Sequence, residues 1–369
     1  MNLGSIDRAA GFLDAVTAPL DEVRQAALAA ATKSRKLTRI IARQDTRVPF
    51  IATLQILALF AVTAVRPLWL FVLGPIVLGI PHLASDARYL LIRQRVAREI
   101  VFVSIAAALV FVGIQTLSIF HAAPAHWTGL EIVTATAWIG AAVAAGARER
   151  KNRALLFWLV PLVAFGAFAT WHAAMTRIVF AHLHNVIGVT AWILLFRKNR
   201  KAAILPALAL VLGVGLLVSG ATFALSANAF RGFGFDLSVI GRSLAPGASP
   251  SLAAGAALSF VFLQSVHYAA WLVWIPQDNL PGQGTFTFRM TARSLRADFG
   301  IALLVLIAAL ALALAGAAAF DPHQAVRTYM SLATFHGYFE IAILAYFAAR
   351  QDARQVSARA GQRRESLAT

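Results

Sequence analysis

The chain contains no cysteine, which excludes structural disulfides, thiolate metal ligands and cysteine nucleophiles. Charge is scarce as well. Asp, Glu, Lys and Arg make up 13% of the 369 residues, against 59% hydrophobic ones, and the mean hydropathy is +0.71. The first 47 residues hold no uninterrupted apolar core ahead of a small-residue cleavage site, so nothing there reads as a cleaved signal peptide. No glycine-rich turn leads from a strand into a helix, which argues against a phosphate-binding loop. No internal repeat is convincing enough to argue inverted transporter halves.

What the chain does have is long apolar runs, and crossing a bilayer takes about 20 such residues. The expected fold is all-α, a polytopic transmembrane helix bundle of about ten spans. The runs place these at 48–65, 67–92, 99–120, 129–146, 153–171, 178–196, 202–225, 251–275, 299–320 and 329–349. Three regions follow: 1–47, an amphipathic helix and a basic segment; 48–349, the bundle; and 350–369, a basic tail. In the first region Ile6, Ala9, Leu13, Val16, Leu20, Val23, Ala27 and Ala30 form a seven-residue pattern on a polar background. That pattern predicts an amphipathic helix, interrupted near Pro19, on the membrane surface or docked on its own bundle.

The net charge of +17 would fit a nucleic-acid partner only if the basic residues shared one accessible face. Their distribution follows the spans instead. With both termini cytoplasmic, the inner segments hold 26 Lys and Arg, whereas the outer loops hold only Arg66, Arg177, Arg231, Arg242 and Arg327. This positive-inside asymmetry accounts for most of the basic excess without nucleic acid. The expected location is the bacterial inner (cytoplasmic) membrane. Of the two long loops, the outer one at 226–250 reads as an interfacial loop rather than a re-entrant lid.

Within the apolar runs the ionisable residues stand out, because hydrocarbon tolerates them only when they face the bundle interior. His82 and Asp86 lie four residues apart in Gly79-Ile80-Pro81-His82-Leu83-Ala84-Ser85-Asp86, hence on one helix face. His182 and His184 fall in span six, His267 in span eight, and His336 in span ten with Glu340 four residues on. His121, His126, His172 and His323 fall in outer connections. Five imidazoles at similar depth, two with i+4 carboxylates, point to a shared metal ion more than to independent packing choices. The candidate ligands are His82, His184, His267 and His336, with His182 as the alternative from span six. Asp86 and Glu340 are candidate acceptors for imidazole N–H groups. Tyr268, Trp271 and Tyr338 are candidates for lining an apolar substrate pocket. Imidazole without thiolate suits iron, copper, zinc or nickel, and two axial histidines on a haem fit the same residues. A proton- or ion-coupled transporter and a haem-binding electron-transfer subunit are the competing classes.

The octapeptide around His82 resembles the Gly-Leu-Pro-His-Gly-Ala-Leu-Asp signature of the Brp/Blh family, membrane beta-carotene 15,15'-dioxygenases. The later histidines come in the same chain order as the family's, at His184 or His182, then His267, then His336 before Glu340. The chain has Leu83 where the family has glycine, and Trp271 where it has a further histidine. The resemblance implies one non-haem Fe2+ held by four histidines, dioxygen bound at the open coordination, and a lipophilic, carotenoid-like substrate alongside. It thus implies an oxidoreductase whose partners are that substrate, dioxygen and membrane lipids.

Overall fold

The computed structural model describes residues 3–120, 126–280 and 287–350. Ten of its helices are long and apolar enough to cross a membrane: Gln44–Val65, Pro67–Ile92, Arg98–Phe120, Trp127–Glu149, Ala154–Trp171, Ala173–Phe196, Arg200–Val218, Pro250–Asp278, Phe288–Phe320 and Pro322–Arg350. The protein is an all-helical integral membrane protein. Sheet among the described residues is confined to a two-stranded hairpin, Arg231–Gly232 with Phe235–Asp236, inside the long loop after span seven. The helix Leu237–Leu244 follows it, packed on span eight.

Burial ranks the spans. The most apolar stretch of span eight is 78% buried, and those of spans ten and two are 61% and 50% buried, whereas those of spans five and nine are only 11% and 6% buried. The peripheral spans expose Leu, Val and Phe to lipid. Three of the four histidine-bearing spans are thus the three most enclosed. Polar groups that hydrocarbon would penalise go where other helices cover them.

Several spans are not plain α-helices. Span two carries π turns at Gly74–Leu78 and Arg88–Ile92, on either side of the α-helical Gly79–Ala87. Span six ends in a π turn at Trp192–Phe196, and span eight has one at Ala270–Trp274, directly after its histidine. Each π turn rotates the residues beyond it around the helix axis, so faces cannot be read by counting through it. Span ten is two helices, Pro322–Leu332 and Phe335–Arg350, and the break leaves the Ala333 carbonyl available just before His336. Span nine bends at Gly300, whose φ of 71° is open to glycine but strained for other residues. The bend coincides with the expected start of this span at 299; the helix before it, from Phe288, is polar enough to lie outside the hydrocarbon.

The N-terminal helix Leu3–Thr32 runs through Pro19 without the expected interruption. Its second half docks on the chain itself. Buried Asp21 accepts hydrogen bonds from the backbone N–H groups of Phe288 (2.6 Å) and Arg289 (3.3 Å), satisfying free donors at the start of the span-nine helix. The tail beyond residue 350 lies outside the described residues.

Candidate metal centre

Spans two, six, eight and ten bring four imidazoles to one place. Ring centroids are 4.8 Å apart for His82 and His336, 5.6 Å for His82 and His267, 5.8 Å for His267 and His336, 5.4 Å for His184 and His336, and 5.6 Å for His184 and His267. Two imidazoles on one ion, with metal–nitrogen distances of about 2.0–2.1 Å, have ring centres roughly 4.5–6.4 Å apart depending on the angle between them. All five separations fall in that window. Ligand atoms of His82, Asp86, His267 and His336 lie within 4.8 Å of one another, and His184 adjoins this group.

Local hydrogen bonds fix which nitrogen two of the rings offer. Nδ1 of His336 lies 2.5 Å from the Ala333 carbonyl exposed by the break in span ten, and Nδ1 of His184 lies 3.3 Å from the Phe180 carbonyl. Nδ1 of His82 sits 3.4 Å from the Tyr329 hydroxyl. A carbonyl accepts only, so the histidines of spans six and ten carry their proton on Nδ1 and present a bare Nε2. This is how metal-binding histidines are oriented by an acceptor on the opposite nitrogen.

The inward atoms are without partners. Nε2 of His82, His267 and His336, and both carboxylate oxygens of Asp86 and of Glu340, are buried and make no hydrogen bond. The Glu340 Oε1 to His267 Nε2 approach of 3.4 Å lacks hydrogen-bond geometry. Neither carboxylate pairs with a Lys or Arg among the described residues, although both are at most 1% exposed. Unpaired buried carboxylates are expensive. A divalent cation would supply the missing charge and give the bare imidazole nitrogens a partner. The residues fit a metal.

No protein-family model, curated protein or solved structure matches this chain.

Two glycines make room for the centre. A Cβ on Gly79 would stand 2.5 Å from Cζ of Tyr329, the tyrosine whose hydroxyl meets His82. A Cβ on Gly188 would stand 3.0 Å from both His267 Nδ1 and Trp271 Nε1. Ser85, one residue before Asp86, donates from Oγ to the Trp271 carbonyl at 2.6 Å and ties span two to the π turn of span eight.

Three sequence expectations change. His182 is only half-buried and turns its ring to Phe260, 6.2 Å away, apart from the other histidines; two residues along a helix are about 200° apart, so only one of His182 and His184 faces the centre. Trp271 does not line the cavity beside the metal site. It is fully buried, with Nε1 over Gly188 beside His267. Neither Asp86 nor Glu340 accepts an imidazole N–H, and Asp86 instead stands among the candidate ligand atoms themselves.

Beside the centre lies a cavity of about 150 Å³ whose walls include His184, His336, Tyr268 and Tyr338. It extends to Glu131 and Arg177, where span four begins and span six is still in its first turns. Phe180 and Tyr338 stack at 4.0 Å with planes 6° apart. Tyr329, Asn185, Gln264, Glu131 and Arg177 belong to this region and do not stand out in the sequence reading. Their signal was available: each of Asn185, Gln264 and Glu131 is a polar side chain inside an apolar span.

Proposed function

We propose that this protein is a membrane-embedded non-haem iron oxygenase acting on a lipophilic, carotenoid-like substrate, in the manner of the family its octapeptide resembles. The observation that carries the reading is the convergence of His82, His184, His267 and His336, with a buried, unpartnered Nε2 on His82, His267 and His336. These four, with Asp86 as a fifth donor, would hold Fe2+, which when bound supplies dioxygen activation. Glu340 balances charge beside His267. Tyr268, Tyr338 and Phe180 form the apolar wall that positions the substrate and excludes water from it.

Bare iron is favoured over haem. A haem takes at most two ligands from the protein, whereas four imidazoles converge here with the Asp86 carboxylate among them. The charge distribution supports the bacterial inner membrane, with both termini cytoplasmic and the cavity reached from the outer half.

Elemental analysis of purified protein, with its absorption spectrum, tests this reading. About one iron per chain without a haem band is expected. A haem spectrum, or protein without stoichiometric transition metal, would overturn it.

A further inference from the structure

The cavity beside the histidines is lined by apolar and aromatic side chains, by Arg177 and three tyrosines, and by several buried acceptors without a protein partner. Asn185 is 1% exposed, and its Nδ2 donates to the Ala181 carbonyl at 3.0 Å, which leaves Oδ1 as the atom offered to the cavity; Oδ1 has no partner. Gln264, 5% exposed, donates from Nε2 to the Tyr268 hydroxyl at 3.1 Å, and its Oε1 has no partner either. Both residues line the same space as His184 and His336. Further out, Gln115 Nε2 donates to Glu131 Oε1 at 2.5 Å, and Glu131 Oε2 makes no hydrogen bond, with Arg177 Nε 3.9 Å away.

An amide carbonyl buried without a donor is costly, and proteins rarely leave one unpaired. Asn185 cannot turn its carbonyl to a donor without facing its own oxygen to the Ala181 carbonyl, so the missing donor comes from outside the protein, from water or from an occupant that displaces it. A pure hydrocarbon leaves Asn185 and Gln264 unsatisfied. The size limits the occupant as well, since a cavity of about 150 Å³ takes a benzene-sized group. It fits one end of a long molecule, not the whole of it.

We propose that the substrate is an apolar molecule ending in a hydroxyl group, whose O–H donates to Asn185 Oδ1 or Gln264 Oε1 beside the histidine centre. This deepens the oxygenase reading and rests on it for the substrate's fate, but the binding preference stands on the cavity alone. The site discriminates by leaving its acceptors unpaired when the hydroxyl is absent, the mechanism by which buried polar groups reject analogues most strongly. Tyr338 and Phe180 stack beside the apolar body of the ligand.

The test uses the full chain in lipid nanodiscs with phenylbutanol, its methyl ether, butylbenzene and phenylbutanoate. Binding is read as ligand-dependent thermal stabilisation, and metal content is measured on the same samples. The alcohol should bind about tenfold or more tightly than the ether and the hydrocarbon. Asn185→Leu and Gln264→Met, which keep side-chain size, should each reduce that preference while binding of butylbenzene persists. Equal binding of alcohol, ether and hydrocarbon by the unsubstituted protein would overturn the proposal even if both variants failed to fold. So would a preference for phenylbutanoate, which would make Arg177 the anchor, or an alcohol preference undiminished in both variants. Full metal without alcohol preference sinks this inference alone; alcohol preference without metal sinks the iron reading alone.

Discussion

His82 in span two and His336 in span ten hold their rings 4.8 Å apart with planes 82° to one another, each with a buried Nε2 that no protein group satisfies. The edge-to-face ring contact leaves both nitrogens without a partner, and an ion between them would satisfy both.

Alanine at His82, His267 or His336 should abolish stoichiometric metal binding, because each removes a donor from the group whose atoms lie within 4.8 Å. His184→Ala should weaken it, whereas His182→Ala should leave it intact, its ring being turned to Phe260. Tyr329→Phe removes the hydroxyl beside His82 Nδ1 and should lower metal affinity by about 10–100-fold, as loss of such supporting groups does. Metal titration of each variant checks all six.

Gly79→Ala should destabilise the protein by about 1–3 kcal/mol, because the new methyl would stand 2.5 Å from the Tyr329 ring and force one of two packed helices to shift. Adding Tyr329→Leu, which clears the space, should restore thermal stability without restoring the hydroxyl beside His82. The two effects separate as stability against metal affinity.

At the end of the bundle where span one begins, Arg197 is 1% exposed and pairs with Asp278 at 2.7 Å, while also donating to the Asp45 carbonyl. Trp192 Nε1 donates to the same Asp278 carboxylate at 2.7 Å. Asp278→Ala leaves the buried guanidinium only the Asp45 carboxylate, 3.8 Å away, as counter-charge and should cost about 3 kcal/mol in chemical unfolding. Replacing both partners by Met and Leu should recover much of that loss.

Asp236 caps the helix Leu237–Leu244 from the hairpin after span seven. The Ser238 hydroxyl donates to Asp236 Oδ1 at 2.6 Å and the Ser238 amide at 2.8 Å, and Arg231 Nε lies 2.9 Å from Oδ2. These donors, the Ser238 hydroxyl foremost, lower the pKa from the usual 3.8 to about 2. A carboxyl that loses its proton more readily when folded contributes its full stabilisation above pH 3.8, and that contribution fades as the pH falls to about 2. Protease cleavage of the hairpin should therefore accelerate across that window. Asp236→Asn should flatten the dependence.

The spans were legible because a bilayer demands long apolar runs whatever the neighbours do. The ten runs agree with the ten helices to within a few residues at most ends, and even the bend at Gly300 falls where the apolar character of span nine begins. The histidines and the two carboxylates were legible for the same reason, since each is an exception that hydrocarbon would not tolerate without a partner. Asn185, Gln264 and Glu131 carried the same signal, as polar residues inside apolar spans.

The linear order of residues determined that this chain crosses a membrane ten times and gathers imidazoles in its interior, because hydrophobic length and the cost of burying polar groups act on each segment separately. Which ring of the His182 and His184 pair joins the cluster, that Trp271 faces Gly188 and that Asp86 stands among the ligand atoms were decided only by the packed structure. Those outcomes depend on π turns, on the break before His336 and on how helices distant in sequence approach one another. Such rotations and contacts leave no periodic trace in any single span.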